Sequence, residues 1–191
     1  MTKNILIVGV GGQGTLLASN VMGKVFLDGG YDVKVSEVHG MSQRGGSVVT
    51  YVRYGDEVCS TLIDKGEADI LLSFEALEAA RWLPYLKKDG VVITNTQQMN
   101  PMSVVMGKAQ YPDDIIGKIK ATGVKLVEAD ALSLAEEAGS ARSVNVVLIG
   151  LAAKHIGLDK QIWLDAVRST VPQKTVEVNT AAFEKGYGLN N

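Results

Sequence analysis

The sequence predicts an α/β fold in which helices sandwich a mostly parallel sheet. Short apolar runs, typical of strands buried on both faces, alternate with longer segments whose apolar residues recur at helical spacing. A paired β-branched pattern near residue 55 adds a β-hairpin insertion, and only helical patterns follow residue 130. The length of 191 residues suits one domain, which we expect to span residues 1–191.

The first part of the chain reads as a βαβ unit. Residues 4–8 form an apolar strand, and residues 15–27 carry apolar side chains at helical spacing up to the stop signal Gly29-Gly30. Residues 31–38 then alternate as a second strand. With a glycine-rich turn between its strand and its helix, this unit makes the predicted fold Rossmann-like.

The middle of the chain departs from that simple pattern. A polar, glycine-rich loop occupies residues 39–46. Two β-branched runs, 47–54 and 57–63, then flank Gly55-Asp56, which predicts the hairpin insertion. Cys59 lies in the second run, where we expect a packed and inert thiol.

The remaining elements follow from the same periodicities, with an irregular stretch rich in Met, Gln and Asn between residues 96 and 111. We predict strands at residues 68–74, 91–95 and 124–128 and helices at residues 75–87, 131–138, 144–156, 159–167 and 176–187.

Composition narrows the class of protein. A formal net charge of −2 without a dense basic run argues against a nucleic-acid partner. The single cysteine cannot form an intramolecular disulfide or supply the four thiolates of an iron–sulfur cluster, and no metal site is predicted. No run approaches the roughly 20 apolar residues of a membrane helix, and the first residues lack a signal-peptide pattern. We therefore expect a cytoplasmic protein without a membrane partner.

The turn after the first strand, GVGGQG at residues 9–14, matches the G-x-G-x-x-G pattern that offers backbone N–H groups to an anion at a helix N-terminus. An acidic residue ends the second strand, where dinucleotide-binding domains hold the ribose hydroxyls. The alternative is a tight strand–helix turn that binds no ligand. The candidate cofactor-binding residues here are Gly9, Gly11, Gly12, Gln13, Gly14 and Glu37.

The loop HGMSQRGG, residues 39–46, holds a second group of candidates past a strand end. The fork of the Arg44 guanidinium suits a carboxylate or phosphate, and Ser42 and Gln43 add neutral hydrogen bonds. The alternative is an ordered loop in which Arg44 pairs with an acid such as Glu37. Further candidates past another strand end are Asn95 and Thr96. No catalytic residue is assigned, because the chain has little catalytic equipment. Its only histidines are His39 and His155, and we expect His155 to be a packed or dipole-complementing residue in the last turn of an apolar helix.

These motifs give the sequence a resemblance to a known family over nearly its whole length. The chain resembles the gamma-type domain of 2-oxoacid:ferredoxin oxidoreductases, and it is most similar to the small beta subunit of the indolepyruvate branch. The resemblance rests on GVGGQG, SEVHGMSQRGGSV, ADILLSFEALEAARWLPYLKKDGVVITNT, SVNVVLIGLAAKHIGL and VEVNTAAFEKGYGL.

The resemblance implies a supporting subunit of an oxidoreductase. Family members convert a 2-oxoacid, coenzyme A and oxidised ferredoxin into acyl-CoA, carbon dioxide and reduced ferredoxin. In the indolepyruvate type, thiamine diphosphate, magnesium and the iron–sulfur clusters belong to the large alpha subunit. The implied partners of this chain are that subunit and, through the complex, ferredoxin; the isolated chain is expected to be inactive. The glycine turn would contact coenzyme A, while residues 42–44 would face the large subunit.

Two other functions remain open on sequence grounds. The glycine turn and Glu37 also fit a nicotinamide or flavin enzyme acting alone, which would bind its cofactor tightly in isolation. A non-catalytic nucleotide-binding or regulatory module would bind a ligand with neither a large partner nor redox activity.

Overall fold

A computed structural model of the protein describes residues 1–38 and 46–189, and within them six strands form one sheet of order β2-β3-β1-β4-β5-β6. The strands are β1 (Lys3–Val10), β2 (Asp32–Glu37), β3 (Ser47–Gly55), β4 (Ala68–Ser73), β5 (Leu86–Asn95) and β6 (Lys125–Ala129). Strands β1, β4, β5 and β6 pair in parallel, while β3 is antiparallel to both of its neighbours, β1 and β2. The predicted mostly parallel α/β sheet is confirmed.

Helices cover both faces of this sheet. They are α1 (Thr15–Asp28), α2 (Ala76–Trp82), α3 (Met102–Val105), α4 (Ile115–Ala121), α5 (Ala131–Glu137), α6 (Val144–Ile156), α7 (Lys160–Thr170) and α8 (Val176–Gly188). One face packs against α1 and α5 to α8, and the other packs against α2 and α4. The helical C-terminal third is confirmed. Across the described ranges, no helix has both the length and the apolar character needed to cross a bilayer.

Strand β1 shows why a continuous apolar run forms the centre of such a sheet. Successive side chains of a strand point to opposite faces. Ile5 and Ile7 belong to the core under α1 and α6, whereas Leu6 and Val8 belong to the core under α2 and α4. All four are essentially inaccessible to solvent. A polar residue at any of these positions would be buried on one face or the other.

The hairpin insertion was predicted with the wrong partner. Residues 57–63 form no strand, and β3 instead lies between β1 and β2. The β-branched pattern of 57–63 has another physical origin, since Val58 and Ile63 anchor the segment in the core. The carbonyls of Ser60 and Leu62 accept hydrogen bonds from the side-chain guanidinium of Arg53, at 3.0 and 2.9 Å, and not from the backbone of a paired strand. Cys59, expected to be packed, is exposed.

Two further parts of the chain differ from the prediction. The helix expected at 75–87 ends at Trp82 in a 3₁₀ turn that contains Pro84, which cannot continue a helix, and β5 begins at Leu86. Helix α4 lies where no element was predicted, and Asp114 caps it by accepting a hydrogen bond from the Gly117 N–H at 3.1 Å.

Tyr54, on β3, is expected to make the fold less stable at alkaline pH. Its ring stacks on Phe26 with 3.7 Å between centroids, and burial raises the pKa of its hydroxyl to about 12. Because the folded pKa lies above the unfolded value of about 10, the stabilisation is complete below pH 10 and is lost as the pH rises towards 12. We expect the free energy of unfolding in urea to be the same for Tyr54→Phe and wild type at pH 8. Between pH 8 and pH 12 it should fall by up to about 2 kcal/mol less in Tyr54→Phe than in wild type. Parallel pH profiles of the two proteins would contradict this expectation.

Candidate functional site

A cavity of about 280 Å³ lies at the carboxyl edge of the sheet, between the turn after β1, the end of β2 and the start of β3. Ligands of open α/β sheets bind outside the carboxyl ends of the strands. The cavity is lined by Gly11, Gly12, Gly14, Thr15, Leu16, Glu37, Val38, Val48, Val49 and Thr50.

The glycine turn, residues 9–14, requires glycine for two different reasons. Gly12 and Gly14 have φ values of 98° and 86°, in the left-handed region that strains other residues. At Gly9 the reason is close approach, because a Cβ would lie 2.9 Å from the Gln13 Oε1 and 3.0 Å from the Phe74 Cβ. The turn therefore brings backbone close to the cavity with no side chain in between.

Gln13 holds the glycine turn in place. Its Oε1 accepts a hydrogen bond from the Val10 N–H at 2.7 Å, and its Nε2 donates to the Phe74 carbonyl at 3.0 Å. Both ends of the side chain are thus used inside the fold. Two of the backbone N–H groups that were predicted to bind a ligand already donate hydrogen bonds within the protein. The Gly11 N–H donates to the Gly46 carbonyl, and the Gln13 N–H donates to the Val10 carbonyl.

Four backbone N–H groups beside the cavity are left open. Those of Gly12, Gly14, Thr15 and Leu16 have no hydrogen-bond acceptor among the described residues. They lie at the start of the 14-residue helix α1, which has no side-chain cap and no acidic residue in its first turn. The positive end of the helix dipole therefore faces the cavity without an acidic side chain in its first turn, which favours an anionic ligand.

The rest of the cavity combines one carboxylate with apolar walls. Glu37, at the end of β2, lines it and lies 2.6 Å from the hydroxyl of Ser19 on α1. Leu16 and Val38 also line it, and their apolar side chains are 49% and 57% exposed. The cavity is thus lined by both N–H donors and exposed apolar side chains.

The candidate residues of the loop at 39–46 lie mostly outside the described ranges. His39, Ser42, Gln43 and Arg44 fall in residues 39–45. The residues that follow are tied to the rest of the site: the Gly46 carbonyl accepts from the Gly11 N–H at 2.9 Å, and the Ser47 hydroxyl donates to Glu78 at 2.5 Å.

Asn95 and Thr96 follow β5 and do not line the cavity. Asn95 is fully buried, and its Oδ1 accepts from the Ala131 N–H at 3.2 Å while its Nδ2 contacts the Phe74 carbonyl at 3.4 Å. The Thr96 N–H donates to the Ala129 carbonyl. Their geometry joins β4, β5 and α5, and ligand contact by either residue stays a prediction.

A buried carboxylate that the sequence analysis missed organises the neighbouring loop. Glu75 is 1% exposed, caps α2 through the Glu78 N–H at 2.9 Å, and accepts hydrogen bonds from the Met99 N–H at 3.1 Å and the Tyr111 hydroxyl at 2.5 Å. Burial and this bond raise the pKa of Tyr111 above its usual range. The signal available in the sequence was the acid just before an apolar helix, which reads as a cap.

Comparison with known proteins agrees with the fold and the motifs. The model of the pyruvate ferredoxin/flavodoxin oxidoreductase family matches residues 4–189. Over 188 residues the chain is 48% identical to a protein named indolepyruvate oxidoreductase subunit IorB from Thermococcus kodakarensis, an alignment that covers 96% of this chain and 93% of the relative.

Solved structures share the architecture. The gamma subunit of a keto/oxoacid ferredoxin oxidoreductase from Geobacter sulfurreducens superposes with a TM-score of 0.72 at 24% identity, over 97% of this chain and 96% of the other. A 2-oxoglutarate:ferredoxin oxidoreductase from Magnetococcus marinus, with 2-oxoglutarate, coenzyme A and succinyl-CoA bound, gives a TM-score of 0.75 at 19% identity, over 97% of this chain but 30% of that one. Given the family match over almost all its residues, this chain belongs to the pyruvate ferredoxin/flavodoxin oxidoreductase family.

Proposed function

We propose that this chain is the small subunit of an indolepyruvate-type 2-oxoacid:ferredoxin oxidoreductase, which converts an arylpyruvate, coenzyme A and oxidised ferredoxin into the acyl-CoA, carbon dioxide and reduced ferredoxin. The observation that carries the proposal is the 48% identity, over nearly the full length of both chains, to a protein named indolepyruvate oxidoreductase subunit IorB.

In this proposal the large alpha subunit holds thiamine diphosphate, magnesium and the iron–sulfur clusters, which supply decarboxylation and electron transfer. The residues of this chain support that division. One cysteine in 191 residues cannot provide four thiolate ligands.

The contribution of this chain is to bind coenzyme A at the cavity beside the glycine turn. The four open N–H groups at the start of α1 suit the diphosphate of coenzyme A, because amides and the helix dipole both favour anionic oxygens. Leu16 and Val38 expose apolar side chains beside the cavity, and contact with the large subunit would bury them. Coenzyme A is also bound in the Magnetococcus marinus oxidoreductase that shares this fold.

Assembly and activity can be tested together. The tagged chain is purified anaerobically from cells that also produce its large partner, and 2-oxoacid-dependent viologen reduction is assayed with and without coenzyme A. We expect a brown complex whose reduction of viologen requires indolepyruvate. A colourless, inactive chain that binds NAD by itself would contradict the proposal and would favour the stand-alone nucleotide-binding alternative.

A charge placed at the start of α1 tests the coenzyme A site. Thr15 is the first residue of α1 and lines the cavity. We expect Thr15→Asp to raise the KM for coenzyme A about tenfold, because its carboxylate competes for the open N–H groups and repels the diphosphate. The same carboxylate is favourable at a helix N-terminus, so thermal stability should be kept.

The matched control is Asn20→Asp, which adds an equal charge to an exposed position of α1 away from the cavity. It should leave the KM within about twofold of wild type, since a solvated charge beyond the first turn is largely screened. Equal KM values for wild type and both variants would show that coenzyme A binds elsewhere.

A further inference from the structure

Asn145, which the sequence analysis did not single out, lies against the glycine turn. It is the second residue of α6 and is 8% exposed. A Cβ placed on Gly14 would lie 2.5 Å from the Asn145 Nδ2 and 3.2 Å from its Cγ. The side-chain amide of Asn145 therefore sits directly beside the residue that precedes α1, a place that only a glycine leaves open.

The orientation of this amide is set by its other end. The Asn145 Oδ1 accepts a hydrogen bond from the Val146 N–H at 3.0 Å. Reversing the amide would place two donors against each other, so the network assigns the nitrogen to the side of Gly14. The Nδ2 has no acceptor among the described residues and is not fully enclosed. A largely buried amide thus presents an unused donor beside the open N–H groups of Gly14 and Thr15.

The two helix N-termini meet at this point. Helix α6 has 13 residues, and neither it nor α1 carries an acidic residue in its first turn. Ser143, the residue before α6, makes no side-chain capping bond. Two helix N-termini without an acidic first-turn residue lie beside this glycine, together with a largely buried donor that has no acceptor among the described residues. This arrangement favours the approach of an anionic oxygen.

We propose that Asn145 is a further binding residue for coenzyme A, whose Nδ2 donates a hydrogen bond to a diphosphate oxygen held at the glycine turn. This inference rests on the coenzyme A site proposed above and adds α6 to it. It also assigns a role to the contact between Asn145 and Gly14, which joins residues far apart in the sequence.

The test compares two variants in the complex reconstituted from both subunits, with the 2-oxoacid saturating and coenzyme A varied. Asn145→Asp keeps an oxygen that can accept from the Val146 N–H and adds a negative charge at a helix N-terminus, so a purely structural role predicts little change. Asn145→Ala removes the amide without adding a charge. It keeps the test informative if the carboxylate introduced by Asn145→Asp prevents assembly of the complex. Assembly of each variant is checked by co-purification of the large subunit.

We expect Asn145→Asp and Asn145→Ala each to raise the KM for coenzyme A by about tenfold or more, with the effect confined to KM, since each loses one hydrogen bond to a charged group. The same increase is expected with dephospho-coenzyme A, which keeps the diphosphate and lacks the 3′-phosphate. An increase that vanishes with dephospho-coenzyme A would overturn the assignment to the diphosphate.

Thr15→Asp separates the two proposals. If it raises the KM while both Asn145 variants stay within about twofold of wild type, the role of Asn145 is overturned and the coenzyme A site at α1 stands. If none of the three variants changes the KM, the site itself is wrong and the role of Asn145 falls with it.

Discussion

Replacing Gly186 with alanine should destabilise the fold by about 3 kcal/mol or more, because α6 and α8 touch through their backbones at this position. A Cβ on Gly186 would lie 1.9 Å from the Val147 carbonyl oxygen and 3.1 Å from the Leu151 nitrogen. Both atoms belong to the backbone of α6, so no side-chain rotation relieves the overlap. The same holds for Gly150 on α6, where an added Cβ would lie 2.2 Å from the Phe183 carbonyl oxygen of α8.

The consequences extend beyond these two helices. Phe183 and Val147 are fully buried in the core that also contains the inner face of α1. Forcing α8 away from α6 opens that core, which costs dispersion contacts as well as the overlap itself. For a protein of this size the expected loss corresponds to a fall in Tm of about 6–12 °C.

Gly188→Ala is the matched control on the same helix. No atom lies within 4 Å of a Cβ at Gly188, so the identical substitution meets open space. Alanine also has the higher helix propensity, and we expect stability within about 0.5 kcal/mol of wild type or slightly above it. Urea unfolding of the three proteins decides the matter, and equal midpoints for Gly186→Ala and Gly188→Ala would refute the close packing of α6 on α8.

Glu75→Gln should cost about 2–4 kcal/mol, because the change keeps the shape of the side chain and removes one of its acceptors. The Oε2 of Glu75 faces the Glu78 N–H, and its Oε1 faces the Met99 N–H and the Tyr111 hydroxyl. In either orientation, the NH₂ group of glutamine meets at least one buried donor. With Glu75 1% exposed, water cannot replace the lost bond.

The loss should be concentrated in residues 96–111, which Glu75 ties to α2. Lys108 is exposed within this stretch, so trypsin cleavage there reports its opening. We expect Glu75→Gln to raise the initial rate of cleavage after Lys108 and to lower the free energy of unfolding. Glu136→Gln, the same change at an exposed position of α5, should alter neither quantity. Wild-type cleavage and stability in Glu75→Gln would show that the carboxylate is not needed there.

Local patterns were sufficient for most elements of the fold. The run ILIV in β1, the glycine stop after α1 and the apolar spacing of α6 each reflect a preference that acts over a few residues, and the structure confirms all three. The glycine turn could be located in the same way. Its detailed contacts could not, because Gly9 also approaches the distant Phe74 and Gly14 also approaches the distant Asn145.

Errors arose where a short pattern had two physical readings. The β-branched Val58 and Ile63 of segment 57–63 are buried and hold the segment against the core. A pattern of alternating residues does not distinguish such a buried loop from a strand. Glu75 reads as a helix cap, and nothing near it in the sequence indicates that Met99 and Tyr111 also donate to its carboxylate.

The sequence by itself determined the α/β class, the glycine turn at the end of the first strand, the family and the single cysteine that rules out a four-cysteine cluster within the chain. These depend on residue identity and short spacing. Only the tertiary structure decided that β3 enters the sheet between β1 and β2, that Gly186 is a contact between helices and that Asn145 meets Gly14. The physical reason is that hydrogen bonding and packing between residues distant in the chain leave no local periodicity, so they appear only when the chain has folded.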